Sequence, residues 1–335
     1  MRLFDWAHRI DLRSEIQEIF VHRFLFKLAM GSVAIFLPLY VHQLGYGPEG
    51  VFLFFMLYFA VFIAASLPLS YVVARFGYKR SSLLAAPLLL GFYIWLRMME
   101  TAGPMVFLAA VLGGLGFNLY WMGMNSEMAR NSHAEDRGAE TGVFFSMPAL
   151  AAVIAPFFGG TVIAVYGFEA LFLLGATVMG ASFVPFIFSD EHFEGGDHAL
   201  STVFNREHLS QFLTFFFQGV TSIGKMVLWP LYLALVVGGA LNIGGAGSVM
   251  ALGGAAVSVL IGKEVDGGDR FTVLAVGGLV FGFTWFAMSF ITTPVQAFVI
   301  SFINGMVAYT VRIPIYTEVI EDAEKSDLLE YFAFR

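Results

Sequence analysis

The chain has 335 residues, of which 58% are hydrophobic and only 13% are charged, and it contains no cysteine. An average soluble domain is nearer half apolar and a quarter charged, so the composition excludes an ordinary soluble globular protein. The missing cysteine excludes disulfides and thiolate-bound metals. The net charge of −7 is collected in a few acidic loops, and no basic cluster indicates a nucleic-acid partner.

Apolar runs recur along the whole chain. Each is roughly 20 residues long, which is enough for a helix to cross a bilayer core of about 30 Å. The short alternating segments of a membrane β-barrel are not seen, so the pattern predicts an all-α polytopic membrane protein. Window hydropathy places ten spans, near residues 19–43, 50–74, 82–99, 103–126, 141–166, 168–188, 209–238, 243–262, 271–291 and 295–317.

Lysine and arginine are distributed unevenly between the two sides of the predicted bundle. With a cytoplasmic N-terminus, every loop cation except Arg97 falls on the cytoplasmic side. Cytoplasmic loops of membrane proteins carry an excess of Lys and Arg. We therefore expect a multi-pass protein of the cell membrane (the cytoplasmic or inner membrane) with its N-terminus in the cytoplasm.

One connector is longer and more polar than the others: SDEHFEGGDHALSTVFNREH, residues 189–208. A polar stretch that contains glycine is typical of a linker. It divides the chain into an N-terminal half, 1–188, with six predicted spans, and a C-terminal half, 209–335, with four.

Strongly polar side chains are concentrated in every third span. Within each set the spacing is mostly three or four residues, which places the set on one helical face. Two halves, each a pair of three-helix units, produce this pattern when the first helix of every unit lines a shared cavity. The sets are Arg23 and Lys27 in the first span; Asn118, Trp121 and Asn125 in the fourth; Gln218, Ser222, Lys225 and Trp229 in the seventh; and Asn304, Tyr309, Arg312 and Tyr316 in the tenth.

Lys225 lies near the middle of its span, with no acid close to it in sequence. Charged groups at membrane depth normally face a bundle interior or a wet cavity, which indicates a substrate contact. The alternative is a structural lysine that bonds helix carbonyls or extends to the interface. An excess of cations favours an anionic or polar substrate. The predicted substrate-binding residues are Lys225, Gln218, Trp229, Asn118, Trp121 and Asn304, followed by Arg312 and Lys27.

The loops between the second and third spans of each half carry a family pattern. SYVVARFGYKRS, residues 70–81, resembles the corresponding loop of the major facilitator superfamily, with Arg75, Gly77, Lys79 and Arg80 at matching positions. Ser70 replaces the family's glycine and Ala74 replaces its aspartate, so this half lacks the aspartate of the family's usual charge-relay latch. In the second half, GKEVDGGDR supplies Gly262, Asp266 and Arg270.

The fifth span carries a second family pattern. RGAETG, residues 137–142, resembles the start of helix 5 in the same family. APFFGG, residues 155–160, resembles the Gly-Pro-x-x-Gly-Gly stretch of many antiporters and drug exporters. The resemblance assigns Pro156, Gly159 and Gly160 to helix packing, which glycine and a proline kink also favour physically.

The resemblance implies a helical bundle of two pseudo-symmetric six-helix halves. With ten predicted spans of an expected twelve, the chain is expected to lack the last two helices. It further implies secondary active or facilitative transport of a small solute by alternating access. We expect no enzymatic activity, no cofactor and no metal. The expected partners are a small solute and the lipid bilayer, and no nucleic acid. We expect a monomer, and whether an ion is coupled to transport is left open.

Other classes of protein are less well supported. A membrane-embedded enzyme would need a cluster of acid, His or Ser side chains at membrane depth, and a channel a selectivity loop or charged ring. No span carries an Asp or Glu near its middle, so no carboxylate proton relay is visible. A non-transporting or inactive truncated relative, acting as a sensor or assembly factor, is the main alternative.

Overall fold

The computed structural model describes residues 14–130, 137–187, 209–266 and 270–325, and every regular element in these ranges is a helix. The predicted linker, 189–208, lies outside them. The α-helices are α1 Ser14–Ala34, α2 Leu37–Val41, α3 Gly47–Phe76, α4 Tyr78–Ala102, α5 Leu108–Arg130, α6 Arg137–Ile187, α7 Leu209–Ile223, α8 Trp229–Val236, α9 Ala240–Asp266, α10 Arg270–Met288 and α11 Pro294–Lys325. Two π-helical turns, His42–Tyr46 and Gly224–Leu228, and a 3₁₀ turn, Gly103–Phe107, connect some of them.

Eight helical stretches of the described chain are long and apolar enough to cross a membrane. Two of these, Val21–Phe76 and Pro148–Ile187, are each interrupted by glycine in the left-handed region, at Gly45 (φ 89°) and at Gly167 (φ 80°). Glycine is tolerated there because it has no Cβ. Since each break separates two successive helices, the eight stretches hold the ten predicted spans. The all-α polytopic fold class is confirmed.

The helices before residue 188 pack around an aromatic core. α1 packs on α6, α5 packs between α3 and α4, and α4 also contacts α6. At the centre the ring of Phe26 on α1 stacks on Tyr120 of α5, with 3.7 Å between ring centroids. Both side chains are almost fully buried. After residue 208, α9 and α10 both pack on α11.

The two groups of helices meet where α6 packs on α9. The approach depends on small residues of APFFGG. A Cβ on Gly160 would lie 2.6 Å from the carbonyl oxygen of Ala240 at the start of α9, whereas one on Gly159 would clash with the carbonyl of Ser32 on α1. On the facing helix a Cβ on Gly244 would meet the carbonyl of Pro156. Small residues let helix backbones approach closely in membranes, where van der Waals packing drives association.

The outer surface is strongly apolar. Phe271, Leu279 and Phe283 of α10 are all more than two-thirds exposed. Such a continuous apolar surface would be a liability in water, but a bilayer solvates it. The burial pattern therefore agrees with a multi-pass membrane protein.

Candidate functional site

Lys225 lies in the π-helical turn Gly224–Leu228, between α7 and α8. The amide of Trp229 donates to the carbonyl of Gly224, five residues earlier. Pro230 follows directly and has no N–H of its own, and its ring excludes the carbonyl that an α-helix would place against it. Single π-turns of this kind are frequent at functional sites.

Gly224 lets a neighbouring helix approach this turn. A Cβ at position 224 would lie 3.0 Å from Cη2 of Trp285, which belongs to α10. The indole ring therefore packs on the backbone beside Lys225, while the lysine side chain itself is exposed.

The fold brings Lys225 together with two other predicted cations. Lys27 on α1 is close enough to Lys225 and to Arg312 of α11 for their charges to interact, and Lys225 also interacts with Arg312. Lys27 is half-buried, and Arg312 is exposed. We call Lys27, Lys225 and Arg312 the cation cluster. These three cations, from α1, the π-helical turn before α8 and α11, therefore lie within range of one another's charges.

The cation cluster has no acidic partner among the side chains that the structure describes. Within the cluster, the guanidinium carbon of Arg312 lies 5.9 Å from the centroid of the Tyr309 ring, which is a cation–π arrangement. The two acids inside the eight membrane stretches, Glu49 and Glu169, lie next to the glycine breaks. Glu169 is 3.9 Å from Arg97 in an exposed ion pair.

Like charges at close range repel, and the repulsion grows where water is partly excluded. A region with several cations and no described acid therefore has a positive potential. An anion would lower that potential and a cation would raise it. Within the described ranges no group of His, Asp and Glu residues is arranged to hold a metal ion.

The two predicted asparagines are engaged in helix–helix hydrogen bonds. The buried amide of Asn118 on α5 donates to the carbonyl of Phe62, at 2.6 Å, and to the hydroxyl of Ser66, at 2.8 Å, both on α3. The buried amide of Asn304 on α11 donates to the hydroxyl of Thr284 on α10, at 2.8 Å. Both donors are thus directed at neighbouring helices.

The remaining predicted binding residues lie on α5, α7 and α8. Trp229 is only 2% exposed and stacks on Tyr232, with 6.1 Å between centroids, while its indole N–H has no described partner. Trp121 is half-buried, edge-on to Phe26. Gln218 is half-buried on α7, two turns before Lys225. The side chains of Asn125 and Tyr316 lie outside the described part of the structure.

The first loop motif forms the junction of α3 and α4. Gly77 ends α3 with φ 89°, a conformation that favours glycine, and its amide donates to the carbonyl of Val73. Lys79 is buried, whereas Arg75 and Arg80 are exposed. In the second loop, Gly262 and Asp266 lie in the last turns of α9 and Arg270 begins α10. Residues 267–269, between them, lie outside the described ranges.

Sequence reasoning did not single out His22, which the structure buries completely. Its Nδ1 lies 2.7 Å from the carbonyl oxygen of Ser182, and its Nε2 lies 2.9 Å from the hydroxyl of Tyr120. Both partners are about a hundred residues or more away along the chain. In the sequence, His22 is a lone histidine near the N-terminal end of the first predicted span. Its partners are supplied only by the packing of α1 on α5 and α6.

Comparison with known proteins gives the fold and the family. The solved structure of a peptide transporter POT in complex with sulfate matches with a TM-score of 0.71 at 14% identity, covering 95% of this chain and 85% of that one. A bacterial homologue of the iron transporter ferroportin, in an inward-facing state, matches with a TM-score of 0.67 at 14% identity, covering 95% and 89%. At these identities the similarity shows the fold alone.

One curated relative is similar over part of its length. It is a Na(+), Li(+), K(+)/H(+) antiporter of Planococcus maritimus, 29% identical over 177 residues. The match covers 51% of this chain and 40% of the relative.

A match to the Major Facilitator Superfamily extends over residues 19–327. This is a family of transporters and not of enzymes, as the loop and helix-5 motifs had implied. The chain therefore belongs to the Major Facilitator Superfamily, a family of multi-pass membrane transporters.

Proposed function

We propose that the protein is a secondary transporter that carries a small anion by alternating access, with the cation cluster as its substrate site. The observation that supports this most is the convergence of Lys27, Lys225 and Arg312 from three helices, without an acidic partner among the described side chains. Unpaired charges are costly in a membrane bundle unless water or a ligand compensates them.

The positions of the three cations suggest how binding would be coupled to movement. Lys27 precedes the predicted linker, whereas Lys225 and Arg312 follow it. With 1–188 and 209–335 as the two moving halves, an anion in the cluster contacts both. A ligand shifts a conformational equilibrium only by its difference in affinity between the two states. An anion that offsets the repulsion between the halves has such a difference, because the repulsion is greatest when the halves are closest.

Cation/proton antiport is the second candidate, and the similarity to the Planococcus maritimus antiporter favours it. A buried site for a metal cation is normally lined with oxygen ligands, carboxylates among them. The described acids within the membrane stretches are Glu49 and Glu169, at the glycine breaks and not in the cluster. The charge of the cluster therefore favours an anion over a cation.

The two candidates can be separated by ligand-induced thermal shift of the purified full chain in detergent. A ligand at a hundred times its Kd stabilises the folded state by about 2.7 kcal/mol. The probes are succinate, citrate and inorganic phosphate as anions, and sodium and potassium as cations. We expect at least one anion to stabilise the wild type and Arg97→Gln, a control cation outside the cluster, and the shift to be lost in Lys225→Gln.

A shift with sodium or potassium that survives in Lys225→Gln would favour the antiporter function instead. No shift with either class, in a sample that unfolds cooperatively, would favour the non-transporting alternative.

A further inference from the structure

The first and seventh predicted spans contain the same three residues at the same structural point. Pro38-Leu39-Tyr40 lies in α2, just after the break at residues 35–36 that separates α2 from α1. Pro230-Leu231-Tyr232 lies in α8, just after the π-helical turn Gly224–Leu228 that separates α8 from α7. A proline inside a helix removes one backbone hydrogen bond and displaces the carbonyl four residues earlier. The repeated proline therefore accounts for an irregularity at the same place in both spans.

Each tyrosine of this repeat joins its short helix to a neighbouring part of the chain. The hydroxyl of Tyr40 donates to the carbonyl of Leu96 in α4, at 2.8 Å. The hydroxyl of Tyr232 lies 3.0 Å from the carbonyl oxygen of Ser289 and 2.9 Å from that of Ile291, in the connection that follows α10. A hydroxyl carries one hydrogen, so these two carbonyls share it. The short helices α2 and α8 are thus held by equivalent bonds.

The two bonds differ in how well they are enclosed. Tyr40 is 3% exposed, and its ring centroid lies 4.9 Å from that of Phe168 and 4.7 Å from that of Phe172. Tyr232 is half-buried, and its acceptors lie outside any helix. A buried donor that loses its partner costs its full desolvation, whereas a donor that can reach another partner costs much less to release. The bond of Tyr232 is therefore the easier one to break.

The short helices themselves show the same difference. All five residues of α2 are buried, whereas Leu235 and Val236 at the end of α8 are 53% and 41% exposed. Directly after α8 come Gly238 and Gly239, with φ 68° and 73°, a conformation that glycine adopts without strain. The helix α8 is therefore less enclosed than α2 and lies between a π-helical turn and two glycines.

Helix α10 and the connection after it hold the region around α8 at two points. At the π-helical turn, Trp285 of α10 packs on Gly224. Further along, at a rise of about 12 Å for a helix, Tyr232 bonds the connection after α10. If the second point is released, the first remains as a pivot. Lys225 lies in that turn, so a movement of α8 about the pivot also moves the lysine.

We propose that Tyr232 is a positioning residue that holds α8 in place and releases it during transport, with the π-helical turn as the hinge. Because α8 contacts α2, its movement away from α2 opens that end of the bundle between the two groups of helices. The helix α2, bonded through Tyr40, stays in position. The shift of Lys225 connects this movement to the cation cluster. That connection rests on the proposed anion transport, whereas the movement of α8 itself does not.

Distances between spin labels on the purified full chain, in lipid nanodiscs, measure this movement directly. The chain has no cysteine, so two introduced cysteines carry the only labels. Leu235→Cys with Phe283→Cys, both at exposed positions, reports on α8 relative to α10. Gln43→Cys with Ile94→Cys, also at exposed positions, reports on the end of α2 relative to α4. Thermal unfolding checks that every variant is folded.

We expect two distances for the α8 pair and a single distance for the α2 pair. Tyr232→Phe keeps the ring and removes only the hydroxyl, so it should increase the population with the longer α8 distance about three- to tenfold, as the loss of one modest hydrogen bond predicts. Tyr40→Phe should lower the thermal stability and leave both sets of distances unchanged. Tyr71→Phe, at an exposed position of α3, is the matched control and should change neither.

The connection to the cation cluster is tested on the same labels. In the wild type, succinate, citrate or phosphate should change the ratio of the two α8 distances, and Lys225→Gln should abolish that response. Anion binding that leaves the ratio unchanged would overturn the connection.

A single α8 distance that Tyr232→Phe does not change would overturn the hinge, and an anion that still raises the thermal stability would leave anion transport intact. A second α2 distance that appears in Tyr40→Phe, with no change of the α8 pair in Tyr232→Phe, would mean that α2 moves instead. If none of the three anions binds but Tyr232→Phe still favours the longer α8 distance, the hinge is supported and the proposed anion transport is wrong.

Discussion

The polar side chains of the membrane spans form two contrasting groups. Asn118 and Asn304 are buried, and each donates to a neighbouring helix. Lys27, Lys225 and Arg312 are half-buried or exposed and interact with each other as like charges. The first group reduces the cost of its own burial by bonding helices together. The second leaves that cost to be met by water or a ligand, which is what a binding site requires.

The sharpest way to break this comparison is to remove one member of the cation cluster. Lys225→Gln should weaken anion binding at least about 100-fold, or about 2.7 kcal/mol. Without ligand, the same variant should be as stable as the wild type or more stable, because one repelling charge is gone. Thermal unfolding with and without succinate, citrate or phosphate measures both effects. A variant that unfolds earlier than the wild type without ligand would mean that Lys225 is structural.

Removing an amide should have the opposite signature. Asn118→Ala should destabilise the ligand-free protein by about 1–2 kcal/mol, and Asn304→Ala by about half as much, since interhelical hydrogen bonds in membranes contribute in this range. Asn118 is expected to matter more because it makes two hydrogen bonds and Asn304 makes one. Thermal unfolding gives the stabilities, and anion titration should show affinities within a few-fold of wild type. A large loss of affinity without loss of stability would place the asparagine in the substrate site.

Trp229 offers a smaller and more selective test. Trp229→Phe keeps a ring to stack on Tyr232 but removes the indole N–H, which has no partner among the described atoms. Deleting a buried unsatisfied donor offsets part of the lost packing, so we expect a stability change below about 1 kcal/mol. Anion titration of this variant then measures whether the substrate uses the N–H. Unchanged affinity would remove Trp229 from the predicted binding residues.

The smallest effect should come from the exposed ion pair. Arg97→Gln breaks the 3.9 Å contact with Glu169, and both side chains are about half exposed or more. Exposed pairs contribute about 0–1 kcal/mol, so the unfolding temperature and the anion affinity should both stay close to wild type. A strong loss of transport with normal anion binding would instead indicate that this pair takes part in the conformational change.

Much of the fold could be predicted from residue order alone. The ten apolar runs, the breaks near Gly45 and Gly167 and the loop pattern around Gly77 are local features, and the helices lie where they indicated. Local features suffice because a backbone in lipid must satisfy its own hydrogen bonds, which leaves a helix as the main solution. The family motifs are local as well, because tight turns and close helix contacts require glycine at particular positions.

The candidate site was only partly predictable. Helical spacing identified Lys225, Asn118 and Asn304 as one class of polar residue, but it could not separate the cation from the amides. His22 was passed over because its partners, Ser182 and Tyr120, are 160 and 98 residues away in sequence. Partners on other helices are decided by packing, which the periodicity of one helix does not contain.

By itself, then, the sequence determined the class of the protein, its spans, its family and the identity of the side chains that are costly to place in a membrane. Only the tertiary structure decided which of them are bonded between helices, which lie near other cations, and that His22 is joined to α5 and α6. The physical reason is that hydropathy acts within one segment, whereas hydrogen bonds and charge interactions depend on distances between segments.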